Sequence, residues 1–168
     1  AGAKNEDPSS SFCRADRRVN IVDIQDVSFL RDGRPILSDV TWTIAPTQHW
    51  ALLGANGSGK TTLLKILTGY EWASSGSVTI LGKRYGECNL HELRKSIGWV
   101  SASIERRIPG NNTALEVVLS GYEASLGVYR EFGDVERQHA REALVRVGAS
   151  GLVDQFFRTL SQGEEQRV

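Results

Sequence analysis

The first strands are predicted from alternating apolar and polar residues. Val19 to Leu30 is rich in β-branched residues, and the apolar side chains of residues 40–44 alternate with threonines. The Asp-Gly-Arg-Pro turn at residues 32–35 separates the two stretches. Strands connected by a short turn pair in antiparallel fashion. We therefore expect the fold to begin with an antiparallel β part.

Apolar runs and helical spacing alternate in the middle of the chain. Trp50 to Leu53 is apolar at every position, which is typical of a strand covered on both faces, and residues 97–100 predict another buried strand. Between them we expect a helix from Gly59 to about Gly69 and a strand at residues 77–81. This alternation favours an α/β fold.

The pattern becomes helical from residue 113 onward. Thr113 and Glu116 have the spacing of a capping box, which marks the start of a helix. A second helix, with Asp134 as its cap, is predicted to run to about Val147. At the other end of the chain, residues 1–18 are polar and turn-rich and predict a disordered leader.

Composition narrows the classes of function. The 168 residues carry 20 Lys plus Arg and 20 Asp plus Glu, so the formal net charge is zero. This balance argues against nucleic acid as a partner. Cys13 and Cys88 lack metal-ligand spacing, which favours a reduced intracellular protein. No apolar run is long enough to span a membrane, so any membrane association is expected to come through a partner.

The strongest chemical signal is the run Gly-Ala-Asn-Gly-Ser-Gly-Lys-Thr at residues 54–61. It fits the phosphate-binding loop (P-loop or Walker A), whose glycines let successive N–H groups turn toward an anion. We assign Lys60 to the β- and γ-phosphates and the Thr61 hydroxyl to Mg²⁺, so ATP and Mg²⁺ are the expected cofactors. The predicted phosphate-binding residues are Gly54, Asn56, Gly57, Ser58, Gly59, Lys60, Thr61 and Thr62.

A second motif, Leu-Ser-Gln-Gly-Glu, lies at residues 160–164. Alone it also fits an ordinary helix start, with Ser161 as the cap and Glu164 three residues later. Together with the phosphate loop at this distance, it resembles the signature of the ATP-binding cassette (ABC) family. The resemblance extends from Ile21 to Val168. The distance suits a compact helical subdomain rather than the long coiled coil of the chromosome-maintenance relatives.

The resemblance implies an α/β P-loop NTPase fold of ABC type. Its sheet would be mixed, with an N-terminal antiparallel β part and an inserted helical subdomain. The implied regions are a leader (1–18), a nucleotide-binding core (19–110), a helical subdomain (111–158) and the signature with the start of its helix (159–168).

The resemblance also implies a transporter ATPase that works as a dimer. Two cassettes would sandwich ATP, so that Lys60 acts in its own subunit while Ser161 and Gly163 contact the γ-phosphate bound by the partner. The partners would be a second nucleotide-binding subunit and transmembrane subunits, which would place the chain in the cytoplasm at the inner face of the membrane. Residues 50–54 and 118–122 are similar to cassettes of the molybdenum-transport type.

Two positions depart from the family pattern. The aromatic residue that stacks on adenine is replaced by Arg31, with Phe29 as a rival; a core Phe29 and a solvated Arg31 are the structural alternative. The Gln that senses Mg²⁺ and water is replaced by Ala102. If Ala102→Gln changed neither the nucleotide affinity nor the ATPase rate of a complete protein, this position would have no role in sensing.

The family's Asp-Glu pair and its later His would follow Val168, so the resemblance predicts an incomplete core that binds ATP much better than it hydrolyses it. The alternatives are a nucleotide-binding module that does not hydrolyse ATP and a soluble ABC protein acting on nucleic acid. An apolar strand followed by Asp-Glu in the sequence past residue 168 would rule out the first alternative. A salt-dependent affinity for RNA or DNA would support the second.

With part of its sheet unpaired, the isolated 168-residue chain is expected to be marginally stable or prone to aggregation. Chemical denaturation followed by circular dichroism checks this. A cooperative transition with the denaturant slope normal for this size would contradict it.

Overall fold

The computed structural model describes residues 20–101 and 108–168, and the predicted leader and Ala102 lie outside these ranges. Four strands form one sheet in the order β2-β1-β3-β4. Every neighbouring pair in it is antiparallel. The strands are β1 (Val22–Arg31), β2 (Arg34–Ile44), β3 (Ser75–Ile80) and β4 (Lys83–Arg84). The antiparallel opening of the fold is therefore confirmed, and the described sheet contains no parallel pair.

Five α-helices accompany the sheet in the described ranges. They are α1 (Lys60–Leu67), α2 (Leu90–Arg94), α3 (Ala114–Ser120), α4 (Asp134–Arg146) and α5 (Gln162–Glu165). The predicted capping box is confirmed, because the Thr113 hydroxyl accepts from the Glu116 N–H at 3.3 Å and Glu116 accepts from the Thr113 N–H at 2.7 Å. At α4 the helix cap is Gly133, and Asp134 is the first helical residue.

Two predicted strands are wrong. Residues 50–53 and 97–100 are not strands in the structure, and neither segment pairs with the described sheet. Leu53 is 89% exposed and Val100 is 97% exposed, so the expected burial on both faces is absent. The apolar pattern did not reveal this because a strand also needs hydrogen bonds to a neighbouring strand.

A first hydrophobic cluster joins the sheet to α1 and α2. One face of α1 is buried through Leu63, Ile66 and Leu67, at helical spacing. The other buried members of this cluster are Val22, Ile24, Val27, Phe29, Leu37, Val78, Ile80 and Leu93. This packing fixes the orientation of α1 on the sheet.

A second cluster is built from the helical segments after residue 110. Its buried members are Ala114, Leu115, Val117, Leu119, Phe132, Ala140, Leu144, Ala149, Leu152, Phe157 and Leu160. The chain before α5 returns beside the start of α3, where Phe157 N donates to Asn112 O at 2.8 Å and Ala114 N donates to Gln155 O at 2.9 Å. These bonds fix where α5 begins.

Charged side chains connect the two clusters. Glu123 pairs with Lys95, at the end of α2, at 3.0 Å and with Arg130 at 2.9 Å. Arg130 continues to Glu136 in the first turn of α4 at 2.6 Å. The Arg130 guanidinium and the Gly133 N–H together lower the pKa of Glu136 to about 2.

The Glu136 contact makes an acid-sensitive contribution to stability. Because its folded pKa is depressed, the contribution is fully present above the ordinary value of 4.5 and is lost as the pH falls toward about 2. Glu136→Gln should therefore lower the melting temperature at neutral pH, and its difference from wild type should vanish near the lower value. Thermal melts followed by circular dichroism measure this. Glu142→Gln is the control, because the Glu142 carboxylate accepts from the neutral Gln138 amide and glutamine keeps an acceptor oxygen there. An equal loss in this variant would contradict the assignment.

Candidate functional site

A cavity of about 320 Å³ lies over the N-terminus of α1. It brings together seven consecutive residues of the predicted phosphate loop, 56–62, with Arg31 and Ile36 from the β1–β2 hairpin. Gly54 lies directly beside this group, since a Cβ on it would come within 2.8 Å of Ser58 Oγ. Most of the predicted site residues therefore share one cavity.

Two loop positions require glycine. Gly57 has a φ of 83° and Gly59 a φ of 84°, both in the left-handed region that other residues avoid. At Gly59 there is also no room for a side chain, because a Cβ would lie 2.8 Å from Leu37 Cδ2 and 2.9 Å from Ile36 O. The loop is thus held against the start of β2.

The Lys60 ammonium bridges the two ends of its own loop. Its Nζ donates to the carbonyl oxygens of Gly54 and Ala55, both at 2.7 Å, and to Ser58 Oγ at 3.3 Å. Three acceptors match the three protons of the ammonium group. The charge is therefore held at the loop, beside the cavity.

The start of α1 supplies further donors. The first intrahelical bond runs from Leu63 N to Gly59 O at 2.8 Å, so the N–H groups of Lys60, Thr61 and Thr62 precede it. These groups and the helix dipole favour an anion. Thr61 is exposed and Thr62 is buried, so of the two hydroxyls that of Thr61 is the more accessible to a metal ion.

The charge of the cavity has one sign. Among the described residues that line it, Arg31 and Lys60 carry formal charges, and both charges are positive. Glycine amides, a helix N-terminus and two cations are the donor set that suits a polyphosphate. The arrangement can hold a phosphate chain.

A larger groove of about 710 Å³ lies between the two clusters, lined by residues that include Trp99, Val117 and Val168. None of the predicted phosphate-loop residues lines it. Its lining residue Lys95 already pairs with Glu92 and Glu123, at 3.1 and 3.0 Å. The smaller cavity is the better candidate for an anionic ligand, because it contains the phosphate-loop residues.

The two candidate base contacts differ in position. Phe29 is 8% exposed and belongs to the first cluster, whereas Arg31 lines the cavity. The Arg31 guanidinium lies over the Phe29 ring, 5.4 Å from its centroid, and pairs with Glu71 at 3.2 Å. Of the two, Arg31 is the residue that a ligand in the cavity can contact.

The signature residues lie at the start of α5, apart from the cavity. Ser161 is the residue before the helix, and both its hydroxyl and its N–H donate to Glu164 Oε2, at 2.7 and 2.8 Å. These bonds hold the pKa of Glu164 below its usual range. Gly163 is exposed, and a Cβ on it would meet no atom within 4 Å. The cavity lining contains neither Ser161 nor Gly163.

Sequence reasoning did not include Ile36, Leu37 and Glu71. The first two form the wall beside Gly59, and the third holds Arg31. Each contact joins segments that are distant along the chain, so no local sequence pattern indicated it.

Neither a membrane span nor a protein-only metal cluster is present in the parts of the chain that the structure describes. No helix there combines the length and apolar character needed to cross a bilayer. The same residues hold no group of three or more His, Cys, Asp and Glu side chains arranged for a metal ion.

The family model and the related proteins that match this chain point to the same family. The family model described as ABC transporter matches residues 37–168. The uncharacterised ABC transporter ATP-binding protein YmeB of Lactococcus lactis is 36% identical over 148 residues, which cover 88% of this chain and 57% of that protein. The ABC transporter ATP-binding protein ModF of Escherichia coli is 34% identical over 138 residues, covering 80% of this chain and 28% of that protein.

A solved structure shows the same fold. The dimeric, post-hydrolysis state of the ATP-binding cassette MJ0796 bound to ADP and Pi superposes with a TM-score of 0.73 at 24% identity. The likeness covers 87% of this chain and 66% of that one. The predicted P-loop NTPase fold of ABC type is thereby confirmed. Since the family model matches more than half of the residues, the chain belongs to the ABC transporter family.

Proposed function

We propose that this chain binds Mg-ATP in the phosphate-loop cavity and is the ATP-binding part of an ABC transporter. One observation carries the proposal: the left-handed glycines, the Lys60 ammonium and the N-terminus of α1 converge on one cavity without a negative charge among its described lining residues. The family membership and the ADP-bound structural neighbour support it.

The proposed binding mode follows from the donors. Backbone N–H groups between Gly57 and Thr62 surround the β- and γ-phosphates, and Lys60 exchanges its bonds to the Gly54 and Ala55 carbonyls for bonds to phosphate oxygens. The Thr61 hydroxyl would hold Mg²⁺, which neutralises charge on the phosphates when bound. Arg31 lies where it can contact the rest of the nucleotide.

The signature would act on ATP that is bound by a second copy of the chain. In an ATP-driven dimer, Ser161 and Gly163 of one copy would contact the γ-phosphate bound by the other copy. The exposure of Gly163 and the open space around it support an approach from outside the chain. Such a dimer would power transport by closing on ATP and opening after hydrolysis.

We assign hydrolysis to the complete transporter subunit. In-line attack on the γ-phosphate needs a group that orients water, and the described lining of the cavity offers no carboxylate for this. The chain is therefore expected to bind ATP better than it hydrolyses it. Transmembrane subunits would hold it at the inner face of the membrane.

Replacing Lys60 by Met tests the binding site. The variant loses charge-assisted hydrogen bonds to phosphate, so the Kd for Mg-ATP should rise about tenfold to a hundredfold in isothermal titration calorimetry. Lys65→Met, in the last turn of the same helix, is the matched control and should bind as wild type does. Equal Kd values for wild type and Lys60→Met would contradict the proposed site.

Replacing Gly163 by Glu tests the signature contact. Since a side chain there meets no atom within 4 Å, the fold should tolerate it, while its carboxylate would repel the partner's γ-phosphate. We expect unchanged ATP affinity and loss of the ATP-dependent dimer in analytical ultracentrifugation. Gly151→Glu, equally unobstructed and outside the signature, should leave dimerisation intact. A wild-type chain that stays monomeric with ATP, or a Gly163→Glu variant that dimerises normally, would refute this part of the proposal.

A further inference from the structure

Arg31 is held from two sides at the edge of the cavity. Its guanidinium carbon lies 5.4 Å from the centroid of the Phe29 ring, and one of its terminal nitrogens lies 3.2 Å from Glu71 Oε1. The side chain of Arg31 is 50% exposed, and that of Glu71 is 32% exposed. Arg31 is thus partly accessible and is contacted on two sides.

The Phe29 ring explains how the arginine lies. Residues two apart on a strand share one face of the sheet, so Phe29 and Arg31 of β1 lie side by side. Phe29 is packed in the first cluster and serves as a rigid platform for the guanidinium. A guanidinium is planar, and because Arg31 also lines the cavity, a ligand bound there can reach this group.

Glu71 connects Arg31 to α1, the helix that follows the phosphate loop. It follows the end of α1, where the N–H groups of Tyr70 and Glu71 both donate to Lys65 O, at 2.8 and 3.2 Å. The N-terminus of the same helix forms the phosphate end of the cavity. The Arg31–Glu71 pair therefore links the arginine to the element that would hold the phosphates.

We propose that Glu71 is a positioning residue for the nucleotide base, holding Arg31 flat between the Phe29 ring and the aromatic base of the ligand. The base, the guanidinium and the phenyl ring would form one stack in the order base, Arg31, Phe29. This inference rests on the proposed binding of ATP and deepens it, because it adds Glu71, a residue outside the phosphate loop, as the group that orients Arg31 toward the base.

Binding measurements with two ligands distinguish a role of Glu71 in base recognition from a purely structural role. Mg-ATP carries the base, whereas Mg-tripolyphosphate offers the phosphates alone. For Glu71→Gln we expect the Kd for Mg-ATP to rise about threefold to tenfold, the scale of one stacking contact, with the Kd for tripolyphosphate unchanged in titration calorimetry.

Further variants sharpen the test. Arg31→Lys keeps the charge but lacks the planar face, so it should show the same selective loss of ATP. The double variant should lose no more than either single variant, because both act through one contact. Glu87→Gln is the matched control, since it breaks an exposed Arg–Glu pair with Arg84 away from the cavity lining. Its Kd for both ligands should equal that of wild type.

The outcomes are distinguishable. If Glu71→Gln binds ATP as wild type does, or loses ATP and tripolyphosphate in equal proportion, the positioning role is refuted while the proposed function stands. If wild type binds neither ligand, the proposed function itself fails and this inference with it. Circular dichroism melts of each variant establish that the compared chains are folded.

Discussion

The candidate site depends on how α1 is fixed to the sheet. Its buried face contributes Leu63, Ile66 and Leu67 to the first cluster, and its first residues form the wall of the cavity. At its other end, the Tyr85 hydroxyl lies 2.9 and 3.1 Å from the carbonyl oxygens of Ile66 and Leu67. Burial raises the pKa of Tyr85 to about 12, so the hydroxyl keeps its proton and remains a donor to these carbonyls. A helix held at both ends presents its N-terminal N–H groups in a constant direction.

The phosphate loop could be predicted from its own residues, whereas contacts between distant segments of the chain could not. The loop was found from sequence because glycine, lysine and threonine at fixed spacing describe a conformation that depends mainly on its own residues. The β1–β2 hairpin was found for the same reason. The Arg31–Glu71 pair and the wall that Ile36 forms beside Gly59 depend on tertiary packing, which a local pattern does not report. The wrong strand at residues 50–53 has the same origin.

The second cluster positions the signature through backbone pairing and through the buried Leu160 side chain. The chain before α5 lies antiparallel to the segment before α3, through the Thr113–Phe156 bridge and the bond from Phe157 N to Asn112 O. Leu160, the residue before Ser161, is buried in this cluster. The start of α5 is thus anchored from within the second cluster, while Glu123 and Lys95 connect that cluster to α2. Movement of one cluster relative to the other would carry the signature with it.

The phosphate loop keeps its conformation without a strand in front of it. Residues 50–53 are unpaired in the described structure, yet Gly57 and Gly59 have the left-handed φ values of an anion-binding turn. The contacts that hold the loop come from the loop itself and from the hairpin: Lys60 closes it onto Gly54 and Ala55, and Gly59 rests on β2. Since these contacts are independent of the preceding segment, the conformation of the loop does not require strand pairing by residues 50–53.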